Sequence, residues 1–513
     1  MRIKHSLLNI GVGLGNQVII TALSFISRTV FVTYLGVEYL GLNGLFTSIL
    51  AMLALAEAGI GSSIMYSLYK PVADDDRDKI SVLMKLYKNA YLVIAVVVLL
   101  LGLSLMPFLK YFIGNTQIEH VNFIYLIFLL NTVAPYLYMH KNSFLNVCQK
   151  GYIVTGFYSV SSIISTSLKI AILYYTQNFI LYLLVESFIT ITSSVVLALI
   201  VNNKYPFLKE KVRAKLDPET KAGIVKNVKA IVLQNIGAYL VLGTDNIIIS
   251  SFVGIAAVGI YSNYKMLIDI SRTFINQIFN NIYHSVGNLV ANENMEKIYS
   301  IYKVYRLVNF WLYASITITM YIMLGPFIKV WLGDGYLMDG ATVLLLMLIF
   351  YEKGMRNAIT TVKTTSGIFH SDRFAPLVQA AINLGLSITL VRYIGITGVF
   401  VGTLISSVFV PFWTTPYLVY KKVFKLPLVH YFGMYFLYLV IGVGTYFITD
   451  YSSSFIDGDN FGLLILKGII CFLIPNVIFV LVFMSTTEYK YIMNVLKALY
   501  SKFFFKLVAN KQN

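Results

Sequence analysis

Eleven ionisable side chains fall inside stretches apolar enough to lie in a membrane. They are Arg28, Glu57, Lys169, Glu186, Asp245, Lys265, Asp269, Arg272, Glu352, Lys353 and Arg356. A charge in hydrocarbon is costly, so each needs a partner or a wet cavity, and such groups mark substrate and ion pathways. Arginine and lysine suit phosphate oxygens, arginine through a two-pronged fork. A buried carboxylate can exchange a proton or bind Na+ as its exposure changes. Some of these groups have local mates. Lys169 and Glu186 lie at equal depth on either side of a turn, which fits a plain hairpin ion pair as well as a site. Asp245 and Lys265 are matched across another turn, and Asp269 reaches Arg272 at i+3. Lys265, Asp269 and Arg272 share one helical face. Glu352 and Arg356 are i+4 partners, which leaves Lys353 without an obvious mate. Arg28 and Glu57 differ in depth by roughly 12 Å, too far for a simple pair. Polar residues accompany two of these groups: Asn16, Gln17, Thr21 and Ser24 with Arg28, and Gln234, Asn235 and Thr244 with Asp245. The six scattered histidines and two cysteines in apolar segments suggest neither a metal site nor a disulfide framework.

The elements that position these groups are membrane helices. Of 513 residues, 58% are hydrophobic and 12% charged, against about 25% charged in soluble chains. Spans of about 20 apolar residues are expected at 8–34, 43–68, 88–113, 119–145, 151–175, 179–202, 227–252, 256–287, 304–330, 340–366, 374–393, 396–420, 428–449 and 462–485. The fold class is therefore all-α and polytopic, with fourteen helices. The first apolar run is too long for a cleaved signal peptide and reads as a retained span. Bases cluster in alternate loops, among them Lys70, Arg77, Lys79, Lys85 and Lys88, then Lys297, Lys303 and Arg306, whereas Tyr34–Asn43 has none. The positive-inside rule then puts both termini in the cytoplasm.

The chain also repeats itself. "FVTYLGVEYLGLNGL" from Phe31 aligns with "ISSFVGIAAVGIYSN" from Ile249, placing Gly36 over Gly254 and Gly41 over Gly259, both pairs 218 positions apart. The same offset sets Asn16–Gln17 over Gln234–Asn235. Six helices per repeat is an even number, so the repeats insert the same way up, as parallel-repeat transporters do. The expected organisation is an N-lobe at 1–202, a cytoplasmic linker at 203–226, a C-lobe at 227–420, two further helices within 421–487 and an amphipathic tail at 488–513. Topology and anionic-lipid contact account for the net charge of +17, and nucleic-acid binding is not needed. "GVGLGN" from Gly11 has no preceding strand and fails as a dinucleotide loop, and no P-loop occurs. Without long external loops, an enzyme is not expected.

Fourteen helices in a 6 + 6 + 2 plan, "GTDNIIISSFVGIAAVGIYSNYKML" and "WLGDGY" resemble the multidrug/oligosaccharidyl-lipid/polysaccharide exporter superfamily, in its Wzx-type flippase branch. The resemblance implies a V-shaped cavity between lobes, alternating access and a polyprenyl-diphosphate-linked oligosaccharide as cargo, for capsule, exopolysaccharide or O-antigen-type polymers. It implies polysaccharide-synthesis proteins as partners besides membrane lipids. It also implies that cavity bases hold the diphosphate. Arg28, Lys353, Arg356, Arg272 and Lys265 are the candidates, with Asn16, Gln17, Gln234 and Asn235 for polar contacts. No cofactor is expected beyond a coupling ion, Na+ or H+, with Asp245 and Glu57 as the coupling acids. A drug or metabolite antiporter of the same superfamily and a membrane glycan polymerase are the alternatives.

Overall fold

The computed structural model describes the backbone of residues 2–497, except 58, 115, 211–215, 369, 457 and 459. Side chains are described from residue 17 onward, apart from Ala56 and some between 229 and 291. The described chain is helical and contains no strand. This suits a hydrocarbon medium, where backbone groups must be satisfied within the segment. Ten described helices are long and apolar enough to span a membrane. One of them, Gln17–Leu53, holds most of the first expected span and the start of the second, parted by a non-helical Gly36 at φ 83°. The second, expected unbroken over 43–68, resumes only at Ile60 after a 3₁₀ turn and Gly59. The other expected spans are helical but more polar or interrupted: Pro218–Gly243 with Asp245–Phe252, Ile255–Asn292, and Gly340–Met355 with Asn357–Thr365. The chain is a multi-pass membrane protein.

Short polar side chains start the helices at the turns. Asp76, Asn178, Asp217, Asn294 and Asp339 each accept a hydrogen bond from a backbone N–H two or three residues on. Such caps satisfy donors the helix itself leaves open. Asp217 lies inside the expected 203–226 linker, accepting from Thr220 N at 2.8 Å with Lys79 Nζ 3.4 Å away. The Thr220 hydrogen bonds and the lysine charge hold its carboxyl down to about 2.

The chain packs as two compact units, residues 1–262 with 391–399, and residues 263–390 with 400–513. Within the first unit the glycines shared by the repeats have a structural reason. Gly36 and Gly254 both adopt positive φ, 83° and 125°, which L side chains rarely take. Gly41 and Gly259 permit reciprocal backbone contacts. A Cβ on Gly41 would lie 1.9 Å from the Ile255 carbonyl oxygen, and one on Gly259 would lie 2.1 Å from that of Val37. Val37 and Ile255 are themselves 218 apart, so each repeat presents the same glycine to the same backbone position of the other. Gly44 meets its own repeat equivalent, Ser262. Asn246 Nδ2 adds hydrogen bonds to Gly44 O at 3.3 Å and Ser48 Oγ at 2.9 Å.

The second unit is built around Met295–Leu332. Leu307, Phe310 and Ala314 of this helix pack against Tyr438, Phe479 and Phe483 of the two C-terminal helices, Val429–Ser453 and Phe461–Phe483. The Phe310 and Tyr438 rings stack at 4.5 Å. The helix at 487–497 continues from the last span. Its Tyr489 stacks on Trp311, and its Glu488 approaches Lys303 at 3.7 Å. The rest of the expected amphipathic tail, 498–513, lies outside the described residues.

Candidate substrate and coupling sites

Three charged residues of the first unit lie at one depth. Arg28 is eight residues before the turn at Gly36, Lys169 eight before Gln177, and Glu186 eight after Asn178. At 1.5 Å per residue they form a layer about 12 Å below these turns. Lys169 Nζ meets Glu186 Oε1 at 3.2 Å and stands 4.9 Å from the Tyr182 ring centre. The pair that equal spacing from the turn implies is formed. Tyr182 also lies in the field of Arg28, on a helix fixed by the edge-on packing of Phe31 against Phe179 and Tyr182 at 5.7 and 5.5 Å. Glu186 is taken up by Lys169, and Arg28 Nη1 is buried without a hydrogen-bond partner. One carboxylate against two cations leaves net positive charge and an unused guanidinium donor. That combination suits a phosphate oxygen.

Both acids expected to couple transport sit where their helices are interrupted. The first helical run ends at Leu53, a 3₁₀ turn carries Glu57, and Gly59 at φ 81° precedes Ile60–Ala73. The partner that the depth of Glu57 demands is Tyr91, whose hydroxyl donates to Glu57 Oε1. Asp245 is the first residue of Asp245–Phe252, after Thr244 breaks the preceding helix, and is 9% exposed. Interrupted membrane helices are tolerated where other groups satisfy the freed backbone, and transporters place ion sites at such breaks.

In the second unit, Asp269 accepts from Lys265 and also from Arg272 Nη1, at 3.2 Å. Lys265 thus finds an acid on its own helix. The three side chains are 39–45% exposed. Arg356 interrupts its helix and grips Glu352 with Nε and with Nη2, the latter at 3.0 Å. Ser407 joins them, accepting from Arg356 Nη2 at 2.8 Å and donating to Glu352 Oε2 at 2.6 Å. Lys353 is half-buried one residue away from Glu352. Gln17 is half-buried on the first helix, while the side chains of Asn16, Gln234 and Asn235 lie outside those described.

The sequence reading missed Arg306. It counts there as a loop base, yet its side chain is 6% exposed within the second unit. The available signal was its neighbourhood, "YSIYKVYRLVNFWLY", where tyrosines recur at helical spacing around the base.

Among solved structures, the chain resembles the lipid II flippase MurJ in an inward closed conformation, with a TM-score of 0.63 at 15% identity over 92% of this chain and 99% of that one. It resembles an inward-facing multidrug resistance MATE transporter of the MOP superfamily at a TM-score of 0.56 and 16% identity, covering 75% and 91%. The Vibrio cholerae MATE transporter VcmN gives 0.53 at 13% identity, covering 82% and 98%. The chain shares its fold with these transporters. The sequence model described as polysaccharide biosynthesis protein matches residues 6–283, and the chain belongs to that family. Comparison with curated proteins found no match.

Proposed function

We propose that the protein is a flippase that carries polyprenyl-diphosphate-linked oligosaccharide units across the cytoplasmic membrane by alternating access, with both termini in the cytoplasm. The single observation that carries this reading is the Arg28 layer, which holds a buried guanidinium donor with no partner of its own. Arg28 takes a diphosphate oxygen, and in the second unit the exposed Lys265–Asp269–Arg272 stripe offers further cationic groups. The fold shared with a lipid II flippase supports a lipid-linked cargo. The family description supports a role in making a polysaccharide, alongside the proteins that build it. Asp245 and Glu57, each at a helix break, link the change of access to a Na+ or H+ gradient.

The test is reconstitution into vesicles with a fluorescent polyprenyl-diphosphate oligosaccharide. Wild-type protein moves it between leaflets, and Arg28→Ala does not, at equal protein content. Normal flipping by Arg28→Ala would remove the diphosphate role. A second reading, an ion-coupled antiporter of a small organic cation, is favoured by the buried Asp245. It predicts that Asp245→Asn abolishes cation binding in protein that never moves the glycolipid.

A further inference from the structure

The Arg306 guanidinium lies 5.6 Å from the Tyr302 ring centre and 5.7 Å from that of Tyr438, with Tyr420 and Tyr299 also in its field. Its Nε and Nη1 are buried and have no hydrogen-bond partner. The hydroxyls of Tyr302 and Tyr420 are buried without partners too. The nearby acid, Glu488, is engaged by Lys303. Four tyrosines thus surround a cation two of whose donors find no acceptor, and a guanidinium buried without an acid is missing one.

Depth and surroundings say which acceptor. Met295–Leu332 ends at Gly333, and Arg306 lies 27 residues back along it. At 1.5 Å per residue that is about 40 Å, which reaches from one membrane surface to the headgroup level of the other leaflet. In the orientation set by loop charge, that is the cytoplasmic leaflet. From the same seam an apolar groove of about 150 Å³ runs towards mid-membrane, lined by Ala314, Ile318, Leu439, Gly442 and Val443 among others. Ala314 is two turns above Arg306, and Leu439 directly follows Tyr438. A cationic cage at headgroup depth, about 12 Å along the helix from an apolar groove beside the C-terminal helices, matches a molecule with a phosphate at one end and a hydrocarbon chain at the other.

We propose that Arg306, with the Tyr302 and Tyr420 hydroxyls, binds the phosphate of a resident inner-leaflet membrane lipid whose acyl chain lies in this groove. The lipid holds the two C-terminal helices against Met295–Leu332. The site is distinct from the Arg28 layer, and it rests on the orientation of the proposed function but not on its cargo.

The test uses the full-length protein, purified and delipidated in mild detergent, with thermal unfolding as readout. Three probes are added separately: phosphatidylglycerol, diacylglycerol with the same chains, and inorganic phosphate. Phosphatidylglycerol should raise the unfolding temperature of the wild type, with the other two nearly inert. Arg306→Met should weaken the apparent affinity about tenfold or more, the loss expected for charge-assisted bonds to phosphate. Tyr302→Phe/Tyr420→Phe keeps both rings, and should reproduce the loss if Arg306→Met does not fold. Equal shifts with diacylglycerol, or an undiminished phosphatidylglycerol shift in both variants, would overturn the phosphate site. A response to inorganic phosphate alone would replace the lipid with a free anion. No response to any probe would leave the cage to water and end the proposal. Since no glycolipid is used, failure here leaves the flippase reading untouched, and failure of flipping leaves this site standing. Reporters on the 203–226 linker check the orientation on which the leaflet assignment depends.

Discussion

Replacing Glu352 by glutamine separates two roles for Arg356, structural partner and phosphate ligand. The carboxylate and guanidinium are 6% and 12% exposed, and Ser407 bonds to both. Removing one member of a buried ion pair strands the other charge at a cost of about 3–5 kcal/mol. Ser407 retains one hydrogen bond to Arg356 at 2.8 Å, so the lower end of that range is expected. Against a typical total stability of about 5–15 kcal/mol, a loss of about 3 kcal/mol is easily resolved. The double variant Glu352→Met/Arg356→Met removes both charges and should return to within about 1 kcal/mol of the wild type. Thermal or denaturant unfolding in micelles measures stability, and the vesicle assay measures flipping in the same preparations. A structural pair gives an unstable single variant and a stable double variant that still flips. A phosphate ligand gives a stable double variant that is inert. If Glu352→Gln is as stable as the wild type, the argument from burial is wrong.

Four further outcomes follow from the same geometry. Arg28→Ala should abolish translocation without lowering abundance, and Arg28→Lys should restore only part, since lysine keeps the charge and loses the fork; loss of abundance alone would make Arg28 structural. Gly41→Ala and Gly259→Ala should each cost about 1–3 kcal/mol or more, because the new Cβ meets backbone and cannot be relieved by a rotamer. Gly36→Ala has open space around it, but φ 83° and ψ −176° belong to a region essentially reserved for glycine, so it should cost about 1–3 kcal/mol through the backbone alone; Gly41→Ala and Gly259→Ala both as stable as the wild type by calorimetry would refute the reciprocal contact. Asp245→Asn or Glu57→Gln should uncouple flipping from the ion gradient yet permit downhill exchange in vesicles, and retained gradient-driven transport in both would remove the coupling roles.

Hydrophobic runs, short polar caps and repeat glycines made the helical plan legible, because each acts locally. The shared register of Gly36 and Gly254 marks turns needing positive φ, and that of Gly41 and Gly259 marks contacts no side chain would allow. Equal distance from a turn was enough to pair Lys169 with Glu186, and i+4 spacing to pair Glu352 with Arg356. Long-range packing was not legible. Tyr91 is the partner of Glu57 because of how two helices lie together, which spacing along one hairpin does not reveal. Arg306 is the sharper case. Its repeat equivalent, Lys88, is exposed, whereas Tyr420 and Tyr438, more than a hundred residues further along the chain, help to enclose the base. Ser407 was invisible for the same reason, lying 51 residues from the arginine it helps to hold.

The central claim, that this chain moves a lipid-linked diphosphate past Arg28, meets its most direct test in one vesicle measurement. Fluorescent polyprenyl-diphosphate oligosaccharide is placed in both leaflets, and the fraction accessible to a membrane-impermeant quencher is followed over time. With wild-type protein the protected fraction should become accessible, and with Arg28→Ala it should stay protected at the level of empty vesicles. Equal rates for the two proteins, or protection that persists with the wild type, would contradict the account.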